Sequence, residues 1–299
     1  MSAADLSVLS RPNDRLRRRR FVNRGMELLA WLAAALAVLI LGIVIFSVAR
    51  KGLSELNLDL LTKSQLQFEP TVRQGLANAF VGSLIIVGLA TAMALPFGIL
   101  IAIYVNEYAP RAVRNVVTLT LDVLAGVPAI VIGFFVFELL VVGHHQSGYA
   151  AGFALAVLML PLVARSTMEV LALVPDSLRE AALGVGAPRW RMTVGVVLPQ
   201  TIGGVLTGAT LAVARVAGET APRLFTSSLI AGGTTHFDPS QPLQTVPLAI
   251  YQLSDSSEPA DHARAWAAAL VLILFILVVS LTARWLATRS RRKIAQASR

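Results

Sequence analysis

Three charged side chains sit where charge is expensive. Arg215, Glu219 and Arg223 recur at intervals of four in the otherwise apolar stretch 201–230, a spacing that puts them on one face of a single α-helix. A charge near the centre of a bilayer costs about 2.5 to 3.5 kcal/mol on insertion scales, so this face must meet protein, water or an opposite charge. Glu219 can pair with either arginine. One reading is a static ion-pair ladder that positions helices. The other is a translocation pathway, in which Arg215 (or Arg223) supplies positive potential to an anion and Glu219 limits how tightly it is held. Gly218 and Pro222 surround the carboxylate, and Pro222 removes the amide that would bond the Gly218 carbonyl. A weakened helix beside a buried carboxylate suits a moving part, or backbone that faces a pathway. Asp122 and Glu138 are weaker candidates, since both lie near the ends of another apolar stretch and can reach an interface. His144-His145 reads as a solvated pair, because two adjacent loop histidines lack further ligands. The chain has no cysteine, which excludes disulfides and thiolate chemistry. No serine-histidine, paired-carboxylate or metal-ligand constellation marks an intramembrane enzyme.

A second constellation occupies the polar connection 171–200. Ser177 with Glu180 three residues later fits a capping box after the break at Pro175-Asp176. Leu178, Ala181, Ala182 and Val185 then recur at helical spacing. Gly184 and Gly186 are expected to end this short helix, and Ala187-Pro188 to start another. The product is a helix, glycine hinge, helix elbow, with Arg179, Arg189, Trp190 and Arg191 available for contact. On periodicity alone the elbow can equally be a plain connection between two spans, with Glu180 only capping its own helix.

The elements that must position these groups are membrane helices. Hydrophobic residues make up 56% of the 299, charged residues only 14%, and the net charge is +9, a balance foreign to a soluble domain. About twenty apolar residues cross a bilayer at about 1.5 Å each, and six stretches qualify: 28–48, 78–105 (broken by Pro96), 116–142, 149–170, 201–230 and 265–283. The first is too long for a signal-peptide core and is read as an anchor. The chain therefore divides into a basic N-terminal tail (1–27), a first anchor (28–48), a helical membrane domain (70–283) that contains the elbow (171–200), and a basic tail (284–299). Nineteen lysines and arginines fall on the side of the termini and the elbow, against five on the other side. By the positive-inside rule both termini and the elbow face the cytoplasm. The positive charge thus reports topology rather than nucleic-acid binding.

No G-x-x-x-x-G-K-[ST] run is present, so the chain has no phosphate-cradling loop for ATP. The elbow nevertheless resembles the cytoplasmic loop of the membrane subunits of binding-protein-dependent ABC importers. Glu180, Ala181, Ala182, Gly186, Leu198 and Pro199 match its pattern, and Val196 stands in the place of an isoleucine. Further stretches are similar to the PstA family of phosphate-importer subunits: Asn106-Glu107-Tyr108-Ala109, Leu124 to Ile130, Gly218-Glu219-Thr220-Ala221-Pro222 and Ala265 to Leu270. The arginine-rich N-tail and Arg223, where relatives are expected to carry an apolar residue, depart from the family, so the resemblance gives Arg223 no role. The resemblance implies an all-α integral membrane protein with six transmembrane helices and the MetI-like ABC importer permease architecture. It implies a multi-pass subunit of the cytoplasmic membrane, paired with a PstC-like subunit, two copies of a PstB-like ATPase and an external phosphate-binding protein. The elbow would dock into a groove of the ATPase. The chain would bind no cofactor and catalyse nothing, ATP and Mg being held by the ATPase. Sulfate or molybdate as cargo, or a non-transporting scaffold or sensor in phosphate signalling, are the alternatives. The loop 231–264, with Val246 to Tyr251, is either an external docking surface or a cap on the helices.

Overall fold

The computed structural model describes residues 14–64, 75–227 and 235–297. Residues 1–13 of the expected N-terminal tail, Glu69-Pro70, the last three residues of the fifth expected span and Gly232-Gly233 lie outside the described residues. The chain divides into two compact units, Met1–Arg50 and Lys51–Arg299. The first is dominated by helix α1 (Asp14–Gly52), whose side chains from Phe21 to Phe46 are broadly exposed, as befits an apolar segment solvated by lipid.

The regular structure of the second unit's described residues is all helix: α2 (Leu58–Thr62), α3 (Ala77–Ile103), α4 (Arg111–Gly126), α5 (Ala129–Leu140), α6 (Gly148–Ala172), α7 (Asp176–Gly184), α8 (Arg189–Met192), α9 (Leu198–Ala217), α10 (Ala221–Thr226), α11 (Val246–Asp255) and α12 (Pro259–Ala297). Among the described residues five helical segments are long and apolar enough to cross a membrane, and α4 with α5 makes a sixth if the bent pair is one span.

Two expected spans differ from straight helices. The third is broken: α4 and α5 meet at 97°. Pro128 has no amide to donate and pushes the residue before it out of the helical region, and Val127 and Pro128 are both extended, with ψ of 129° and 134°. The fifth begins earlier and ends sooner than 201–230. Its helix runs unbroken from Arg189 through a π-helical stretch, Thr193–Val197, into α9 and stops at Ala217. The apolar run set the expectation, but polar Arg189 and Arg191 are tolerated where the helix emerges from the apolar layer. By contrast, α3 continues through Pro96 and α6 through Pro161.

The core is built where α3, α6 and α9 meet, from Ile86, Ala90, Ala151, Leu155, Met159 and Ala212. Small residues let these helices approach closely, the usual device in lipid, where apolar burial gives no drive between helices. At Gly204 of α9 an added Cβ would lie 2.5 Å from Val170 of α6. At the end remote from the elbow, segment 235–245 is sutured over the helix ends. Gly148 and Tyr149 amides donate to Gln241 and Pro239 carbonyls, both at 3.1 Å. Asn78 donates to Gln244 and Ser83 accepts from the Val246 amide, both at 2.8 Å. Val246, Pro247, Leu248 and Ala249 are buried, leaving Tyr251 exposed, so this part of the loop caps the helices. In the same segment the Ser240 amide and hydroxyl donate to Asp238 and hold its carboxyl below the usual range.

Candidate functional site

The elbow is set by local backbone chemistry. Pro175 is the N-cap of α7 and no side chain caps this end. The expected Ser177–Glu180 capping box is therefore not formed, because Pro175 puts Ser177 two residues inside the helix rather than at its cap. At the other end the Gly186 amide donates to the Leu183 carbonyl (2.9 Å) and the Ala187 amide to the Ala182 carbonyl (3.2 Å). That pair of bonds is a Schellman motif, which needs a left-handed residue at Gly186, and Gly186 has φ +83°. Gly184 remains helical. Pro188 then caps α8.

The matched residues divide by exposure. Glu180, Ala181 and Gly186 are exposed, whereas Ala182, Leu198 and Pro199 are half-buried. Ala182 and Leu198 pack against Ala102 of α3, Leu171 of α6, Val174 and Met192. One face of the elbow thus grips two spans, and the other presents Glu180 with Val185, 85% exposed, and Trp190, 58% exposed. The Arg191 guanidinium lies 5.4 Å from the Trp190 ring centre. Apolar side chains exposed on a polar elbow are suited to contact with a protein or with the membrane surface.

Arg179 is not available for contact, contrary to the sequence expectation. Its guanidinium points inward and bridges to Glu107 at 3.0 Å, the two side chains being 18% and 3% exposed. It also donates to the Val174 carbonyl (2.6 Å), the Leu171 carbonyl (2.9 Å) and Asp176 (3.1 Å). A burial this deep is tolerable because every donor of the guanidinium fork has an acceptor. Glu107 was missed as a partner because 72 residues separate the pair. The only local signal was a lone carboxylate in the short loop after the second span.

At the far end the expected ladder of Arg215, Glu219 and Arg223 does not exist as one helix face. α9 ends at Ala217, and Gly218 to Thr220 form a break before α10, which has proline at its first turn. Arg215 and Glu219 remain neighbours, 3.9 Å apart and 64% and 28% exposed. Arg223 turns the other way. It is wholly buried and donates to the carbonyls of Ala217 (3.3 Å) and Val216 (3.0 Å). A cation on the last carbonyls of a helix complements the negative end of its dipole. The physical reason for the difference is Pro222: the amide it lacks and the bulk of its ring break the register that a periodicity count assumes. The broken span packs against this site. A Cβ added to Gly133 of α5 would lie 2.5 Å from Pro222 Cα, and Phe134 meets Phe225 edge to face at 6.0 Å.

The remaining candidates lie apart from these two sites. Asp122 of α4 pairs with Arg165 of α6, and Glu138 is exposed. His145 Nε2 contacts the Ser240 carbonyl at 3.2 Å. Among the described residues no three histidine, cysteine or acidic side chains gather as a metal site.

Comparison with known proteins adds a family to this geometry. Residues 94–292 match the model of the family described as "binding-protein-dependent transport system inner membrane component". A phosphate transport system permease protein PstA of Xylella fastidiosa is 39% identical over 280 residues, covering 92% of this chain and 96% of that protein. PstA of Pasteurella multocida is 37% identical over 268 residues, covering 89% and 94%. PstA 1 of Mycobacterium tuberculosis is 41% identical over 229 residues, covering 73% and 72%. Among solved structures, a chain of a bacterial alginate ABC transporter, crystallised with its alginate-bound periplasmic protein, superposes with a TM-score of 0.62. It is 16% identical and covers 90% of this chain and 96% of its own. The inward-facing MetNI methionine ABC transporter gives 0.56 at 17% identity, covering 72% and 93%.

Proposed function

The chain belongs to the family of binding-protein-dependent transport system inner membrane components, and on that footing we propose that it is a permease subunit of an ATP-driven importer of inorganic phosphate. The observation that carries the reading is the likeness to phosphate transport system permeases over nine-tenths of the chain. The exposed elbow supports it with a surface suited to a partner that supplies the energy. An ABC permease works with an ATPase and a substrate-binding protein. We assign these to a PstB-like ATPase pair and an external phosphate-binding protein, with a PstC-like chain as the second permease subunit. The charge asymmetry of nineteen against five supports a topology with both termini and the elbow in the cytoplasm.

Closure of the ATPase pair would displace the docked elbow through Glu180, Ala181 and the apolar side chains beside them. Ala182 and Leu198 pass that displacement to α3 and α6 through their shared packing. Packed cores transmit strain because they deform little. At the far end the break from Gly218 to Thr220 can shift without opening a regular helix. Arg215 supplies the potential that draws the anion in, and Glu219 keeps its binding weak enough for release. Substrate choice rests largely with the binding protein.

The test is uptake of labelled phosphate into proteoliposomes that contain the complete complex, with sulfate and molybdate as competitors. ATP-driven uptake that requires the binding protein and resists both competitors is expected. Uptake of sulfate or molybdate instead, or ATPase association with no uptake at all, would overturn the reading.

A further inference from the structure

The turn Tyr104–Tyr108, which follows α3 without a break, is π-helical, a local form often found at functional sites. Four of its five residues are tied to four separate elements. Asn106 donates to the Met168 carbonyl of α6 (2.8 Å). Arg114 of α4 donates to the carbonyls of Val105 (3.0 Å) and Asn106 (2.9 Å). Tyr108 and Thr193, in the stretch leading into α9, place their hydroxyls 3.5 Å apart. Glu107 receives Arg179 of α7 on both carboxylate oxygens, at 3.0 and 3.3 Å. Packing of Ala182 holds the elbow against α3 and α6, but it is non-directional. The Glu107–Arg179 pair is the one charge-assisted tie from α7 to the turn among the described residues, and Arg114 continues it into α4, the first half of the broken span.

We propose that Glu107 is a positioning residue for energy coupling: through Arg179 it locks the elbow to the Tyr104–Tyr108 turn, so that displacement of the elbow moves the α3–α4 corner and the broken span with it. This rests on the reading of the chain as an importer permease and adds a second route from the elbow into the membrane. The ion pair supplies direction as well as attraction. A fork of donors shared between one carboxylate and the carbonyls of Leu171 and Val174 fixes the orientation of α7, which a sliding apolar contact does not. Without the carboxylate the elbow can still dock and the ATPase can still turn over, while the stroke is lost between α7 and α4.

The test compares wild type, Glu107→Gln, Arg179→Gln and the double variant, each as the full complex with its ATPase and binding protein in proteoliposomes. ATP hydrolysed and labelled phosphate accumulated are measured in the same vesicles. Each single variant is expected to copurify with the ATPase and to hydrolyse ATP, yet to move about tenfold less phosphate per ATP, within the range usual for coupling between sites. The double variant should be no worse than either single one, since both changes remove the same tie. A wild-type ratio of phosphate to ATP in Glu107→Gln, or losses that multiply in the double variant, would overturn the proposal while leaving the importer reading intact. Failure of the wild-type complex to move phosphate would instead strike the importer reading. If Glu107→Gln lowers the yield of complex, Arg179→Lys takes its place, since it keeps the charge but cannot span the carboxylate and both carbonyls. The same loss is expected of it, and a wild-type ratio there would refute the proposal.

Discussion

Replacing Gly186 tests whether the shape of the elbow, rather than its mere presence, couples the ATPase to the membrane. Nothing lies within 4 Å of a Cβ built on Gly186, so space is not the constraint and the cost of substitution falls on the backbone. An L-residue held in the left-handed region costs about 1 to 2 kcal/mol, which shifts an equilibrium by a factor of about 5 to 30. Asparagine tolerates that region better than alanine. Proline cannot enter it, because its ring fixes φ near about −65°, and it also deletes the amide that bonds the Leu183 carbonyl at 2.9 Å. The Schellman turn is then lost outright and α7 must leave α8 in another direction. Phosphate uptake driven by ATP in proteoliposomes is therefore expected to fall in the order Gly, Asn, Ala, Pro. Gly186→Pro should insert in the membrane normally, since no span is altered, but should not couple hydrolysis to uptake. Wild-type uptake by Gly186→Pro would refute the argument that this turn transmits the motion.

Glu219→Gln and Arg215→Gln should each impair phosphate flux while the complex copurifies intact, because the pair is half open, with Arg215 64% exposed, and fills no core. Normal flux in both would leave it a structural feature. Gly133→Ala should force α5 away from Pro222, 2.5 Å from the new Cβ, at about 1 to 3 kcal/mol, read as a lower unfolding temperature of the purified complex together with slower flux. Arg223→Ala should destabilise by about 2 to 5 kcal/mol, because it opens a cavity and leaves the Ala217 carbonyl without its donor. Arg223→Met, which keeps most of the volume, should cost less in the same thermal measurement. Equal losses in the two would show that the volume of the stem contributes nothing there.

Several features were legible because their causes are local. An apolar run of bilayer length can only be solvated by lipid or by other such helices, so the membrane class follows from counting, and the six runs correspond to five spans and one bent helix pair. The elbow was readable for a similar reason: a helix end, a glycine and a proline within a dozen residues act through hydrogen bonds that reach no further than five positions, as from Ala187 to Ala182. The likeness in Glu180, Ala181, Ala182, Gly186, Leu198 and Pro199 rode on that local order. The break in the third span was not read from the sequence, although Pro128 lies inside that apolar run. A proline permits a bend, and only the packing of α4 and α5 against their neighbours chooses whether it forms and sets its 97° angle.

What tertiary structure alone decided concerns direction. Arg215, Glu219 and Arg223 shared a face only for as long as the helix was taken to continue. Once the backbone broke after Ala217, Arg223 turned to the carbonyls of α9 and left the other two beside each other. Arg179, read as an exposed basic residue, was drawn inward by Glu107, a partner 72 residues away that no periodicity could link to it. Sequence reports how far a side chain stands from its neighbours along one helix, and so it gave the class, the elbow and the candidate charges. Which side of a helix meets lipid, protein or a pathway depends on what packs there, and in a chain apolar on every face that is settled only when the helices assemble.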